Sequence, residues 1–164
     1  MRWNLPAATL VALTTLGLLG CSTPEQKAQK LFSEGKYEEV VTRYPDLPVA
    51  QLAKDKLAEA MFNEGNFAGV IENYPDSPYA AQAMNRMADA LYQEGEYDAL
   101  IAQYPDSPAA RLAKEKRAAD LLAAADTVKD KQKQSEIYRQ VETMYPGTEA
   151  AAKAQEMLNE ETKK

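Results

Sequence analysis

No histidine occurs anywhere in the 164 residues, and cysteine and tryptophan occur once each. Without histidine there is no Ser-His-Asp or Cys-His nucleophile pair and no histidine-ligated zinc or haem. One cysteine makes no intramolecular disulfide and no cysteine cluster for zinc or iron–sulfur. Positive charge is also short: 19 Lys and Arg face 25 Asp and Glu, a net charge of −6. Phosphate backbones are bound by concentrated cations, so a nucleic-acid partner is not expected. No apolar run reaches the ~20 residues of a standard membrane span. The length fits one domain and leaves little room for two.

What is present begins with an address. Arg2 precedes an uncharged, mostly apolar stretch at residues 5–19. That is the shape of a secretory signal peptide. The stretch ends in Leu18-Leu19-Gly20-Cys21, which resembles the bacterial lipobox, and the only thiol of the chain sits where that motif requires it. The resemblance implies that residues 1–20 are cleaved and that Cys21 is lipidated at its thiol and its amine. Residues 21–23 then form the lipidated N-terminus. Several acyl chains make a stable membrane anchor, at ~0.8 kcal/mol per buried CH₂. Ser22 after the cysteine implies transfer to the outer membrane, facing the periplasm, rather than retention in the inner one. The alternative is an ordinary signal peptide with a chance cysteine near its end.

Beyond the leader the chain repeats. Tyr44-Pro45, Tyr74-Pro75 and Tyr104-Pro105 are spaced 30 apart, and so are Glu34-Gly35, Glu64-Gly65 and Glu94-Gly95. Phe32, Phe62 and Tyr92 keep the same spacing, as do Tyr37, Phe67 and Tyr97. A fourth pair, Tyr145-Pro146, follows after 41 residues. Such periods mark stacked supersecondary units.

Each unit reads as two helices. Ser77 offers a capping hydroxyl ahead of Pro78 at the first helical position. Ala80, Ala83, Met84, Met87, Ala88 and Leu91 then recur at helical spacing, against polar residues on the other side. Gly95 supplies a left-handed residue to end this helix. A short helix over about 96–103 is predicted to bury Tyr97, Leu100 and Ile101 before Pro105 stops it. A further helix over about 148–160 caps the array with a polar outer face. Residues 161–164 form a frayed tail. The charged segment 129–133 reads as a turn-like insert, solvated or in touch with anionic lipid or peptidoglycan. A lone helical pair cannot bury its apolar face, so neighbours must stack.

At Met84, Met87, Ala88 and Leu91, and again at Tyr97 and Leu100, the unit resembles a tetratricopeptide repeat. It is 30 residues long instead of the usual 34, a loss of about one helical turn. The resemblance implies an all-α, right-handed tetratricopeptide-like solenoid of about four hairpins plus a C-terminal capping helix, spanning residues 24–160. The phrase Tyr-Pro-Asp-Ser-Pro-x-Ala, joined to Glu-Gly-x-Tyr, is similar to repeats of the outer-membrane assembly lipoprotein family BamD and of the Tol-associated coordinator family CpoB. Pilotins, small lipoproteins that escort secretins, are a third relative in style. This chain shares the lipobox of the first family, lacks a heptad run, and is shorter than BamD chains.

These resemblances imply a non-enzymatic, membrane-tethered adaptor. Its partners would be barrel-assembly subunits, a secretin, or Tol and peptidoglycan factors, with no cofactor, metal or small-molecule substrate. Partners of such arrays lie along the first helices. The implied binding positions are Lys56, Phe62, Arg86, Asp89, Tyr92 and Lys116, with Lys56, Arg86 and Lys116 as a basic ladder and Phe62 and Tyr92 beside it. Cations with aromatics suit an extended or helical segment bearing carboxylates. The same charges, flanked by acids, also read as an ordinary solvated helix face. The tyrosines before each proline read as core caps, ring buried and hydroxyl wet. A small envelope hydrolase is the reading from another class. It would need two acids facing one cleft, and Glu34, Glu64 and Glu94 instead recur with the fold.

Overall fold

A computed structural model of the chain describes residues 22–161. The signal peptide and Cys21 lie outside the described residues, as do positions 162–164. Within them the chain is all-α. The helices are α1 Pro24–Ser33, α2 Tyr37–Arg43, α3 Pro48–Asn63, α4 Phe67–Asn73, α5 Pro78–Glu94, α6 Tyr97–Gln103, α7 Pro108–Asp126, α8 Lys131–Met144 and α9 Glu149–Glu161.

The boundaries follow local chemistry. Thr23 and Gln26 form a reciprocal capping box at α1, satisfying two otherwise orphaned donors. Ser107 accepts from the Ala110 N–H at 3.1 Å ahead of Pro108. Ser77 plays the same part at Tyr79 N–H, 3.3 Å. Replacing Ser107 by Ala is expected to cost about 1 kcal/mol, read as a lower urea midpoint at unchanged slope. Gly95 ends α5 at φ +80°, where a Cβ would meet no neighbour. Its requirement for glycine is therefore purely conformational. In the fourth unit Ala125 stands where the earlier hairpins have that glycine, and α7 runs on to Asp126.

Four hairpins, α1–α2, α3–α4, α5–α6 and α7–α8, follow one another and α9 closes the series. Each long helix touches the next one, α1 to α3, α3 to α5, α5 to α7 and α7 to α9. Each short helix touches only the long helices before and after it, and α2, α4, α6 and α8 do not touch one another. The result is a linear stack with only near-neighbour contacts.

Its interior is a succession of small cores. Val40 packs with Ala50 and Ala53, Val70 with Ala58, Ala80 and Ala83, and Leu100 with Ala88, Ala109, Ala110 and Ala113. Val141 lies among Ala118, Ala125, Ala150, Ala151 and Ala154 with Tyr138 and Tyr145. Val40, Val70, Leu100 and Val141 are the largest fully buried side chains, one per hairpin. Each contributes about 1.5–3 kcal/mol by burial, while the alanines let the helix backbones approach. Alongside each of the first three cores an aromatic pair bridges the hairpin: Phe32–Tyr37, Phe62–Phe67 and Tyr92–Tyr97, with ring centroids 5.2, 5.1 and 5.3 Å apart.

Three expectations need correction. Met84 is 38% exposed, so the buried face of α5 is narrower than the apolar spacing suggests and rests on Ala80, Ala83 and Ala88. Segment 129–133 is only partly a turn. Asp130 accepts from the Gln132 and Lys133 N–H groups, and Lys131 to Lys133 are the first turn of α8. The last helix reaches Glu161, one residue into the expected tail.

Most of the extra length in the fourth hairpin lies in α8, which has 14 residues where α6 has 7. Gln134 secures the added turns. Buried, it donates to the Ala125 carbonyl at 3.2 Å and accepts from Lys131 Nζ at 2.8 Å. Burial, and then the Asp126 and Glu161 carboxylates, push the Tyr138 hydroxyl above its ordinary 10.0. The folded state therefore keeps this proton when the unfolded chain has lost it. Stability from Tyr138 is full below about pH 10 and declines as pH rises from there through the folded value. Tyr138→Phe is expected to flatten the alkaline limb of a stability–pH profile taken by urea titration.

Candidate partner-binding groove

The long helices carry the six implied positions: Lys56 and Phe62 on α3, Arg86, Asp89 and Tyr92 on α5, and Lys116 on α7. They differ in their surroundings. Lys56 is exposed and pairs with Glu59 one turn along, Nζ to Oε2 2.7 Å. The Lys56 ammonium, and then the Tyr79 hydroxyl, hold the Glu59 carboxyl below the ordinary carboxylate range. Phe62 is half-buried against Phe67 and against Tyr79 of the next hairpin, centroids 5.7 Å apart for the latter. Lys116 pairs with Asp120 at 3.1 Å, which raises its pKa above the ordinary lysine value. Arg86 and Asp89 are both exposed, and among the described residues neither forms an ion pair. Two of the three ladder cations are thus partly neutralised on their own helices. Exposed pairs of this kind hold loosely and exchange readily.

Tyr92 and Lys116 are brought together. They line an open cleft of about 510 Å³ with Leu112, Ala119 and Leu122 of α7 and Ala150 of α9. Lys56, Phe62, Arg86 and Asp89 lie outside it. Charge at its rim comes from Glu115, Asp126, Glu149 and Lys153 as well as Lys116. Lys153 pairs with Glu149 at 2.7 Å and holds that carboxyl below its ordinary range. A hydrophobic floor with alternating charge at its edge can take an amphipathic segment, apolar side down.

Sequence reasoning missed the part played by α9, which reads as a cap yet supplies one wall. The signal lay in one substitution. Pro48, Pro78 and Pro108 open the earlier long helices, and Glu149 takes that position in α9. Proline has no N–H to satisfy, but Glu149 does, and it donates to the Glu115 carboxylate at 3.2 and 3.4 Å. Glu115 is therefore engaged in joining α7 to α9 and is not a free groove charge.

The remaining candidates fall into structural roles. Tyr44, Tyr74 and Tyr104 are half-buried and Tyr145 is 8% exposed. The Tyr104 hydroxyl donates to Met87 Sδ at 3.5 Å. Glu34, Glu64 and Glu94 are exposed, and the Lys36 ammonium depresses Glu34, opposite to the shift a general acid requires. Asp98 and Arg117 form a two-point ion pair between α6 and α7, at 2.8 and 3.0 Å. Among the described residues no three acidic or cysteine side chains cluster as metal ligands, and no helix is long and apolar enough to cross a membrane. No protein-family model matches the chain, and no curated protein is significantly similar to it.

Proposed function

We propose that this chain is an outer-membrane lipoprotein, anchored through Cys21 and facing the periplasm, that works as a protein–protein adaptor and does no chemistry. Its hairpins would form a right-handed superhelix of the tetratricopeptide kind. The observation carrying this reading is the asymmetry of contacts. Long helices touch in series while short ones stay apart, which is the pattern that a concave long-helix side would produce. That is the side on which stacked-repeat proteins hold partners, and the cleft at Tyr92 and Lys116 opens there. The most specific form is an accessory of β-barrel protein assembly in the outer membrane, resembling BamD. A secretin, or Tol and peptidoglycan factors, would be the partners of a pilotin-like or coordinating form.

Crosslinking in intact cells followed by mass spectrometry tests the reading and tells these forms apart. Arg86→Glu with Lys116→Glu is expected to reduce capture of the main partner about tenfold or more, since reversed charges at a contact oppose binding. Capture unchanged by the double variant would remove the groove from the account.

A further inference from the structure

Charge is distributed unevenly along the stack. Residues 48–107, the second and third hairpins, hold three cations against ten acids, while residues 108–148 hold eight cations against six acids. Part of this positive charge borders a second cleft, of about 520 Å³, between the first turns of α7 and the α8–α9 turn. Leu112, 56% exposed, stands between the two clefts and lines both. Arg111 lines it without an ion pair or side-chain hydrogen bond among the described residues. Among the described residues Lys114 bonds only the Pro105 carbonyl, at 3.2 Å. The one acid in the lining, Glu115, is held by the Glu149 N–H.

The chain's own repeats serve as a control. Arg111, Leu112 and Lys114 occupy the register of Ala81, Gln82 and Met84 in the third hairpin and of Gln51, Leu52 and Lys54 in the second. Gly147, at φ +82° in the cleft wall, takes the place of Asp76 and Asp106 in the earlier turns. Relative to the third hairpin, two cations are gained at one spot, one acid is lost at Gly147 and one gained at Glu115 in place of Asn85, around an aliphatic side chain that is largely exposed. Structural needs do not call for this, because the third hairpin packs without it.

We propose that this cleft receives an acidic segment of a partner protein, anchored by one aliphatic side chain on Leu112 with its carboxylates at Arg111 and Lys114. The cleft adds a second, cationic contact to the adaptor described above. It rests on that reading only for the existence of a protein partner.

The test uses the full-length chain in detergent micelles, titrated with a fluorescein-labelled peptide of Asp and Glu around a single Leu and followed by anisotropy. The wild-type chain is expected to bind it, more weakly as salt rises. Arg111→Ala, Leu112→Gln and Lys114→Met together install the side chains of the third hairpin at exposed or half-exposed positions. This variant should keep its circular dichroism and lose about tenfold or more in affinity, as centrally placed contacts do. The Arg86→Glu, Lys116→Glu variant should bind the peptide as the wild type does, even where it loses partner capture in cells. Four results would overturn the proposal: no binding by the wild type, equal binding by the triple variant, equal binding of a peptide with Lys in place of the acids, or loss confined to the Arg86, Lys116 variant. The last would place the acidic segment in the long-helix groove and leave the adaptor reading standing. Self-association in sedimentation that depends on Arg111 and Lys114 would give the cleft to a second copy, and the assignment to a partner would fall.

Discussion

Leu100→Ala is expected to destabilise the folded chain by about 2–5 kcal/mol. Leu100 is fully buried, and its core neighbours Ala88, Ala109, Ala110 and Ala113 are all small. The alanines cannot swing in to fill the space, and the half-buried Leu91, Tyr92, Tyr97, Ile101 and Tyr104 around them can fill it only in part, so a cavity term adds to the lost transfer energy. The position joins α6 to α5 and α7, the contacts that couple the third hairpin to the fourth. In a chain held by near-neighbour interfaces, weakening one interface also weakens cooperation across it. The urea transition should therefore move to a lower midpoint and broaden as the two ends begin to melt separately. Leu112→Ala is the matched control: 56% exposed, it should change stability by less than about 0.5 kcal/mol. A Leu100→Ala loss under about 1 kcal/mol would contradict the alanine-lined cores described above.

Cys21→Ser is expected to abolish fatty-acid incorporation altogether. Cys21 is the sole cysteine, so no other thiol can take the lipid. On the proposed reading the anchor is substantial: at ~0.8 kcal/mol per buried CH₂ a single acyl chain binds a membrane reversibly, and two or more hold it firmly. Metabolic labelling with a radioactive fatty acid reads this directly. The wild-type band should carry label and the variant band none, with residues 1–20 still attached where cleavage depends on the lipid. Label in the variant, or none in the wild type, would leave Cys21 with no role as an anchor.

Much of the architecture was legible because punctuation repeats with it. Pro78 and Pro108 open helices, Gly95 closes one, and the Tyr-Pro steps break the short helices at Gln103 and its counterparts. Depth was less legible than direction. Periodicity places Met84 and Met87 on one face, but it does not say that Met84 stands at the edge of the contact and remains 38% exposed. Nor does it single out Val40, Val70, Leu100 and Val141 from other apolar residues of the short helices. Those four lie deepest where the long helices bring buried alanines against them, with the larger apolar side chains of the same helices only partly buried at the edge.

Gln134 was illegible for another reason. An amide among lysines reads as surface, and its burial follows from the Ala125 carbonyl that needs a donor. For the groove, the first-helix positions follow from register alone. Whether two of them share a cleft depends on how far one long helix is offset against the next. That offset is a tertiary quantity, and it admits Tyr92 and Lys116 while leaving Lys56 and Arg86 outside.

The gaps between α2, α4, α6 and α8 have a mechanical result. A spine jointed along one edge flexes easily about that edge and resists sliding along it. Such a chain can uncurl or tighten by small rotations shared among successive joints, with no single joint opened far enough to expose its interior.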